Sequence, residues 1–456
     1  MIRVCIAAAA LLAPLALTTP AAAQSQADLD ARYDRALAAG YKALFLCGAI
    51  SSAERAGTTR TPESVARWEL TGVQEPLDTL IESLPPARSV RDGADRPLRS
   101  VSVSFADDMP PRTAVHRNGA GCSILPIGLQ DIPVAEQQPT PAGTTPANEA
   151  SDPTVASSEM AQTGFDQRYG ADARTTAVII ARDGDILSEA YAQDFGPDVP
   201  QRTWSVAKSI AATLIGAAVQ RGEADVAASA GLGAGEGDPR AAITIDHLLR
   251  MASGRYTDTP GNRTDPLYYG GATVDESAAH WPLIAQPGTV FRYANNDTLL
   301  AIEAISDTFA QHPPAELFAT LGMDRTVAET DWQGDYILSS QVWTTARDLA
   351  KLGQLYLQDG MWDGERVLPE GWARYVSAPT GPQPDGEWGY GAGWWIMSGM
   401  DGIPDDAFAA RGNRGQNVVI IPSRDIVIVR RGEDPAGGAG FDIAAFTRDV
   451  LARMED

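Results

Sequence analysis

The sequence predicts an α+β protein in which an antiparallel sheet, built from both ends of the main domain, carries a mainly helical insertion. Residues 175–191 contain two apolar runs joined by an Asp-Gly pair, which is a hairpin signature. Three further strand-like runs occur towards the C-terminus: residues 390–396, 417–421 and 426–430. Helical spacing and loops dominate the stretch between the two groups, and residues 441–454 form a last helical run. Grouped strands around grouped helices are typical of α+β layering.

The first 23 residues have the features of a secretory signal peptide. Arg3 precedes an apolar core, and the alanines at 21–23 provide a cleavage site. No later stretch is expected to supply the roughly 18 to 20 apolar residues of a transmembrane helix. The sequence therefore predicts a protein exported to a bacterial periplasm, with no membrane span.

Length and composition limit the function classes. A chain of 456 residues suits two domains, and a formal net charge of -23 makes nucleic acid an unsuitable partner, because phosphate contacts need basic patches. No phosphate-binding loop, dinucleotide fingerprint or metal-ligand cluster occurs in the sequence. We therefore expect neither a cofactor nor a metal, and a small molecule as the substrate. The sequence leaves the oligomeric state open.

Residues 24–130 predict a small N-terminal domain of unknown role. Two helical runs over residues 27–53 precede strand-like segments at 100–106, 112–116 and 122–125. Cys47 and Cys122 form an even pair in a protein predicted to be exported, which favours a disulfide over two buried thiols. Residues 131–164 are rich in Pro, Ala and Thr and read as a linker to the main domain at 165–456.

A buried helix is predicted directly after Ser205, since apolar residues recur at helical spacing from Val206 and Gly222 is a plausible stop. Ser205 could simply cap this helix. A capping box, however, would place Glu or Gln three residues on, where this chain has Lys208. The chain contains only three lysines, and lysine, unlike arginine, can lose its proton inside a protein. We interpret Ser205 as a nucleophile and Lys208 as its proton acceptor.

Two later motifs strengthen this interpretation. Tyr293 and Asn295 form a Tyr-x-Asn pair, and a glycine-rich turn with Asn413, Arg414 and Gly415 leads into a strand. In this order the motifs resemble the serine β-lactamase and penicillin-binding-protein superfamily, most of all its class C-like branch of esterases and 6-aminohexanoate-dimer hydrolases. The resemblance covers roughly residues 165–456.

The resemblance implies a serine hydrolase that cleaves small amides or esters through an acyl-enzyme on Ser205, without a cofactor. Tyr293 would shuttle a proton beside the serine and lysine, and Asn295 would order the lysine or the substrate. Gly415 would let a substrate approach the strand, so that the backbone amides of Ser205 and Gln416 form an oxyanion hole.

The third motif departs from the family, which has Lys-Thr-Gly or His-x-Gly where this chain has Asn413-Arg414-Gly415. A neutral Asn413 weakens the case for binding the carboxylate of a β-lactam, although Arg414 could substitute. We therefore expect neutral esters and amides to be favoured. The alternatives are a β-lactamase or D-Ala-D-Ala peptidase, and a receptor domain that binds ligand without turnover.

Residues 257–271 form a long polar and aromatic loop with Asp265, Tyr268 and Tyr269. Long loops of this kind in compact domains are often functional. The sequence thus predicts a lid that contacts substrate, with these three side chains as binding residues.

Overall fold

The computed structural model describes residues 25–91, 93, 97–129, 159–235, 237–256 and 264–455. The predicted signal peptide, most of the predicted linker and the first half of the predicted lid lie outside these residues. The helices are α1 Gln26–Arg55, α2 Pro62–Trp68, α3 Leu77–Ser83, α4 Glu159–Gln162, α5 Val206–Gln220, α6 Ile245–Leu249, α7 Asp265–Tyr268, α8 Val274–Ala278, α9 Asn295–Glu303, α10 Pro314–Thr320, α11 Ala346–Leu357, α12 Trp372–Ser377 and α13 Ile443–Glu455. The strands are β1 Arg88–Arg91, β2 Leu98–Val103, β3 Arg112–Arg117, β4 Gly121–Ile124, β5 Thr175–Arg182, β6 Asp185–Tyr191, β7 Gln201–Arg202, β8 Val327–Ala328, β9 Val342–Thr344, β10 Met361–Trp362, β11 Glu365–Arg366, β12 Gly389–Tyr390, β13 Trp395–Ile396, β14 Phe408–Gly412, β15 Gln416–Ile421 and β16 Ile426–Gly432.

In the predicted N-terminal domain, helix α1 packs against an antiparallel sheet with the strand order β1-β2-β3-β4. The two predicted helical runs are one 30-residue helix, which continues through Gly40. By length and composition α1 could cross a membrane, which corrects the expectation that no stretch would qualify, but most of its apolar window is buried inside the protein. Burial in the fold accounts for the apolar character of α1.

The predicted disulfide is present and joins Cys47 of α1 to Cys122 of β4. It closes a loop with a sequence separation of 75 residues. In the chain-entropy account such a loop contributes about 4 kcal/mol to the free energy of unfolding.

We expect intact oxidised protein to show no alkylatable thiol, and Cys47→Ser/Cys122→Ser to lower the stability of the N-terminal domain by about 2 to 4 kcal/mol. Mass spectrometry of a non-reducing digest and chemical denaturation measure the two effects. Alkylation of two thiols in the native protein would contradict the first.

The main domain is organised around a sheet with the strand order β12-β13-β14-β15-β16-β5-β6, in which every neighbouring pair is antiparallel. The early hairpin β5–β6 joins the late strand β16, as the sequence predicts. The predicted strand at 390–396 is instead a tight hairpin of β12 and β13, because Gly393 turns the chain with a φ of +79°. Strand β14 is not among the strands predicted from the sequence.

Helix α5 lies between this sheet and the helical insertion, with contacts to β14, β15 and α9. Nearly all of its side chains are buried. Residues of the N-terminal domain belong to the same continuous apolar core as α5, so the two domains are packed together. Helix α13 covers the opposite face of the sheet.

Candidate active site

Ser205 immediately precedes α5, and its side chain makes no capping hydrogen bond to the helix. The capping interpretation is therefore wrong. Trp204, just before it, has a left-handed φ of +50°, a conformation that costs about 1 to 3 kcal/mol in a non-glycine residue and is held by its surroundings. The Arg202 guanidinium stacks 4.4 Å from the Trp204 ring. This turn leaves the Ser205 hydroxyl half-exposed and free to react.

Lys208 lies one helical turn after Ser205, and its amine is enclosed by polar groups. Nζ lies 3.1 Å from Ser205 Oγ, and donates to Asn295 Oδ1 at 2.7 Å and to the Ser339 carbonyl at 2.8 Å. No carboxylate pairs with this amine within the described part of the chain. Burial lowers the pKa of Lys208 to about 7, so a large share of the amine is neutral near neutral pH.

Tyr293 and Asn295 reach the same place from the segment that leads into α9. Tyr293 lines the same cavity as Ser205, and its ring centroid lies 5.1 Å from Lys208 Nζ. Burial raises the pKa of Tyr293 to about 12. Tyr293 is therefore a neutral phenol, and Asn295 orders the lysine. The structure thus brings together the four residues that the sequence singled out, Ser205, Lys208, Tyr293 and Asn295.

The end of β14 approaches Ser205 most closely. A Cβ atom on Gly412 would lie 2.4 Å from the Thr203 carbonyl oxygen and 3.0 Å from the Ser205 amide nitrogen, so only glycine fits. A cavity of about 470 Å³ opens beside this contact, between β14 and the segment 434–441. Its lining includes Ser205, Tyr293, Trp395, Arg411, Gly412 and Asn413. This cavity is the place where a substrate can reach the serine.

Arg411 is the residue that the sequence analysis missed. Its guanidinium stacks between two indoles, 4.0 Å from the Trp388 ring centroid and 5.7 Å from that of Trp395. Within the described residues it has no hydrogen bond or ion pair, and Asp442 acts on it only at longer range. A prediction of residues 408–412 as a strand that ends at the serine would have placed Arg411 in the site. The cavity therefore holds an unpaired cation.

The glycine-rich turn is placed differently from the prediction. A Cβ atom on Gly415 would meet the Arg430–Asp434 ion pair, whereas one on Gly412 would meet the backbone of Thr203 and Ser205, so Gly412 rather than Gly415 packs against the serine. Gln416 is fully buried and does not line the cavity, because its side chain bonds to Arg431 and to the Gly432 carbonyl.

Arg414 does not replace the missing cation of the third motif. Its guanidinium pairs with Glu433 at 2.5 Å. It also donates to backbone carbonyls of the N-terminal domain, those of Trp68, Thr71 and Gly72. The side chain is thus fully engaged, and only the backbone at 413–415 borders the cavity together with exposed Asn413.

The predicted binding residues of the lid lie elsewhere. Tyr268 and Tyr269 are buried against α1, with the rings of Tyr269 and Tyr41 4.8 Å apart, so neither lines the cavity at Ser205. Asp265 lines a separate cavity of about 400 Å³ between the N-terminal domain and Trp281. Packing against the N-terminal domain, which the local sequence does not show, explains these errors.

Comparison with known proteins identifies the family. The chain is 28% identical over 287 residues to the 6-aminohexanoate-dimer hydrolase of Paenarthrobacter ureafaciens, covering 56% of this chain and 72% of that protein. A Bacillus anthracis structure provisionally designated a 6-aminohexanoate-dimer hydrolase superposes with a TM-score of 0.53 at 22% identity, over 62% of this chain and 79% of that one. The hydrolase EstCE1, which has promiscuous acyltransferase activity, superposes with a TM-score of 0.51 at 15% identity, over 64% and 97%. Residues 163–431, more than half of the chain, match the family described as Beta-lactamase, and the chain belongs to that family.

Proposed function

We propose that the protein is an exported serine hydrolase that cleaves small amides or esters through an acyl-enzyme on Ser205. The arrangement around the Lys208 amine carries this proposal. A neutral amine has two N–H donors and one lone pair. Asn295 Oδ1 and the Ser339 carbonyl can only accept, and they take the two hydrogens. The lone pair is therefore left for the proton of the Ser205 hydroxyl.

The first half of the reaction follows from this arrangement. Ser205 Oγ forms a bond to the substrate carbonyl carbon while its proton moves to Lys208 Nζ, and the carbonyl π electrons become an oxyanion. We assign the oxyanion hole to the Ser205 amide and a backbone amide at the Gly412–Asn413 end of β14, in place of Gln416. Each such donor stabilises the transition state by about 3 kcal/mol.

Tyr293 acts in the second half of the reaction, in which the leaving group departs. Collapse of the intermediate breaks the C–N or C–O bond, and Tyr293 passes its proton to the leaving group while taking the proton held by Lys208. Because its pKa is raised to about 12, Tyr293 is protonated at neutral pH and enters this step as a phenol that relays a proton rather than as a phenolate base. Water then attacks the acyl-enzyme by the reverse proton path and releases the acid. Every proton in the cycle is handled by residues of this chain.

Export is supported by two independent features. The first 23 residues read as a signal peptide, and the Cys47–Cys122 disulfide belongs in an oxidising compartment.

Arg411 indicates which small amides or esters fit. A half-buried, unpaired guanidinium beside the nucleophile can bind a carboxylate through two parallel hydrogen bonds. We therefore propose substrates that carry a carboxylate, in place of the neutral substrates expected from Asn413. The name of the Paenarthrobacter relative gives the dimer of an amino acid as its substrate, which is a linear amide with a free carboxylate.

Arg411→Met should lower kcat/KM for a carboxylate-bearing linear amide or ester by about ten- to a hundredfold, because a charge-assisted hydrogen bond is worth about 1.5 to 3 kcal/mol. The same substrate with its carboxylate capped as a methyl amide should lose less than threefold. Arg424→Met, which removes an exposed arginine paired with Glu455, is the matched control. Equal losses on both substrates would contradict the assignment of the carboxylate to Arg411.

Arg411 also favours one second candidate, a β-lactamase, since β-lactams carry a carboxylate beside the scissile amide. Steady-state hydrolysis of a chromogenic cephalosporin faster than every linear amide and ester would establish it. A single stoichiometric burst without turnover on all substrates would instead indicate a receptor domain.

A further inference from the structure

The N-terminal domain packs on the main-domain core and also contacts the end of α7, the helix that lies behind the partners of Lys208. Lys208 Nζ is fixed by Asn295 Oδ1 and the Ser339 carbonyl. Both acceptors are held in turn by α7 and the residue before it. Asn295 Nδ2 donates to Thr264 Oγ1 at 2.9 Å, and the Tyr268 hydroxyl lies 2.7 Å from Ser339 Oγ.

Tyr268 connects Thr264, which holds Asn295, with Ser339. Its hydroxyl hydrogen-bonds with Ser339 Oγ, its backbone N–H donates to the Thr264 carbonyl at 2.8 Å, and its side chain is 5% exposed. Tyr268 thus braces the residues that hold both acceptors of the amine. Tyr268 does not touch the cavity at Ser205, which makes it a positioning residue for Lys208.

Helix α7 is itself fixed by the N-terminal domain. The guanidinium of Arg112 in β3 is buried and donates to the Tyr269 carbonyl at 3.1 Å. Burying a cation costs free energy, and within the described residues no carboxylate pairs with Arg112 to offset that cost. The polar contact that Arg112 makes with the α7 region is therefore its hydrogen bond to the Tyr269 carbonyl.

Gly40 provides the second contact. A Cβ atom at this position would lie 1.9 Å from the Tyr269 carbonyl oxygen, so any side chain would force α1 and α7 apart. Glycine inside a helix is destabilising relative to alanine. The close approach to α7 accounts for a glycine in the middle of α1.

A third contact reaches the same region from α1. The Phe45 ring lies 4.9 Å from the guanidinium of Arg202, which donates to Ser340 Oγ at 2.9 Å. Ser340 follows Ser339, the residue whose carbonyl accepts from Lys208. Two routes therefore lead from the N-terminal domain to the lysine.

We propose that the N-terminal domain is part of the catalytic apparatus: through Arg112 and Gly40 it fixes α7, which orients the two acceptors of the Lys208 amine. This inference rests on the proposed role of Lys208 as the base for Ser205. It gives the domain a function beyond stability, because a displaced α7 would disorder the amine and admit water to it.

The test is the rate at which a fluorophosphonate labels Ser205, measured against pH, which needs no knowledge of the natural substrate. Gly40→Ala and Tyr268→Phe should each lower the labelling rate at pH 7 by about tenfold, because small displacements of reacting groups are costly. They should also move the midpoint of the pH profile upward by about half a unit or more, since water at Nζ relieves the burial that depresses the lysine pKa.

The titratable groups around the amine are Tyr293 beside it and Tyr268 behind Ser339. Burial raises the pKa of both hydroxyls, that of Tyr293 to about 12. Neither titrates near pH 7, so a change in the midpoint reports on Lys208.

Val101→Ala is the matched control, because Val101 is fully buried in β2 of the same domain and takes no part in the contacts with α7 described above. It should lower the melting temperature. The labelling rate should stay within about twofold of that of the unmodified protein, and the midpoint of the pH profile within about 0.2 pH units. Arg112→Met, which removes the second contact of the N-terminal domain with the Tyr269 carbonyl, takes the place of Gly40→Ala if that variant fails to fold.

Normal labelling and an unchanged midpoint in Tyr268→Phe would overturn the inference, and so would equal losses in Val101→Ala. Absence of Ser205 labelling in the unmodified protein would instead overturn the proposed function.

Discussion

Ser205→Ala is expected to abolish fluorophosphonate labelling and to lower kcat/KM for any amide or ester substrate by about 10⁴-fold or more, the usual effect of removing a covalent nucleophile. The hydroxyl is half-exposed, is not used to cap α5, and lies 3.1 Å from an amine that can accept its proton. Without this oxygen no acyl-enzyme can form. Intact-protein mass spectrometry after labelling, together with steady-state kinetics, measures both effects.

Ser209→Ala is the matched control for this change. Ser209 lies one turn further along α5, is buried, and donates to the Gly393 carbonyl at 2.7 Å. Its loss should lower stability by about 1 to 2 kcal/mol and leave labelling intact. Turnover that survives in Ser205→Ala, or labelling that persists at another residue, would show that the nucleophile is elsewhere.

The parts of this protein that the sequence predicts well are those set by local patterns. The β5–β6 hairpin follows from the two apolar runs on either side of Asp183-Gly184, both of which have positive φ in the structure. Helix α5 follows from its apolar spacing and ends at Gln220, two residues before Gly222, which also has a positive φ. The Ser205–Lys208 pair is local as well, since residues three apart share a helix face.

The errors come from contacts between distant segments. Gly412 and Gly415 each follow an arginine, so the local sequence does not distinguish them. Only the packing of β14 against Thr203 shows which of them faces the serine. Arg414 reads as a candidate for substrate binding because its partners, Glu433 and the carbonyls at 68–72, are remote in the chain. Tyr268 likewise reads as part of a lid because α1, against which α7 packs, precedes it by more than 200 residues.

Lys208→Arg is expected to lower kcat/KM and the labelling rate by about 10²-fold or more at pH 7.5, the usual reach of a positioned acid–base group. The substitution keeps the positive charge but removes the base, because arginine does not lose its proton in proteins. Lys208 is buried, and its pKa lies near 7, so the neutral, active form dominates above that pH and the protonated form below it.

The activity of the unmodified protein should therefore rise with pH through about 7 and then level off. In Lys208→Arg this rise should disappear, and Lys351→Arg, a partly exposed lysine that bonds to the Gly322 carbonyl, should retain it. If Lys208→Arg keeps near-normal rates and the same rise near pH 7, the lysine acts only through its charge, and the group that titrates must be sought elsewhere.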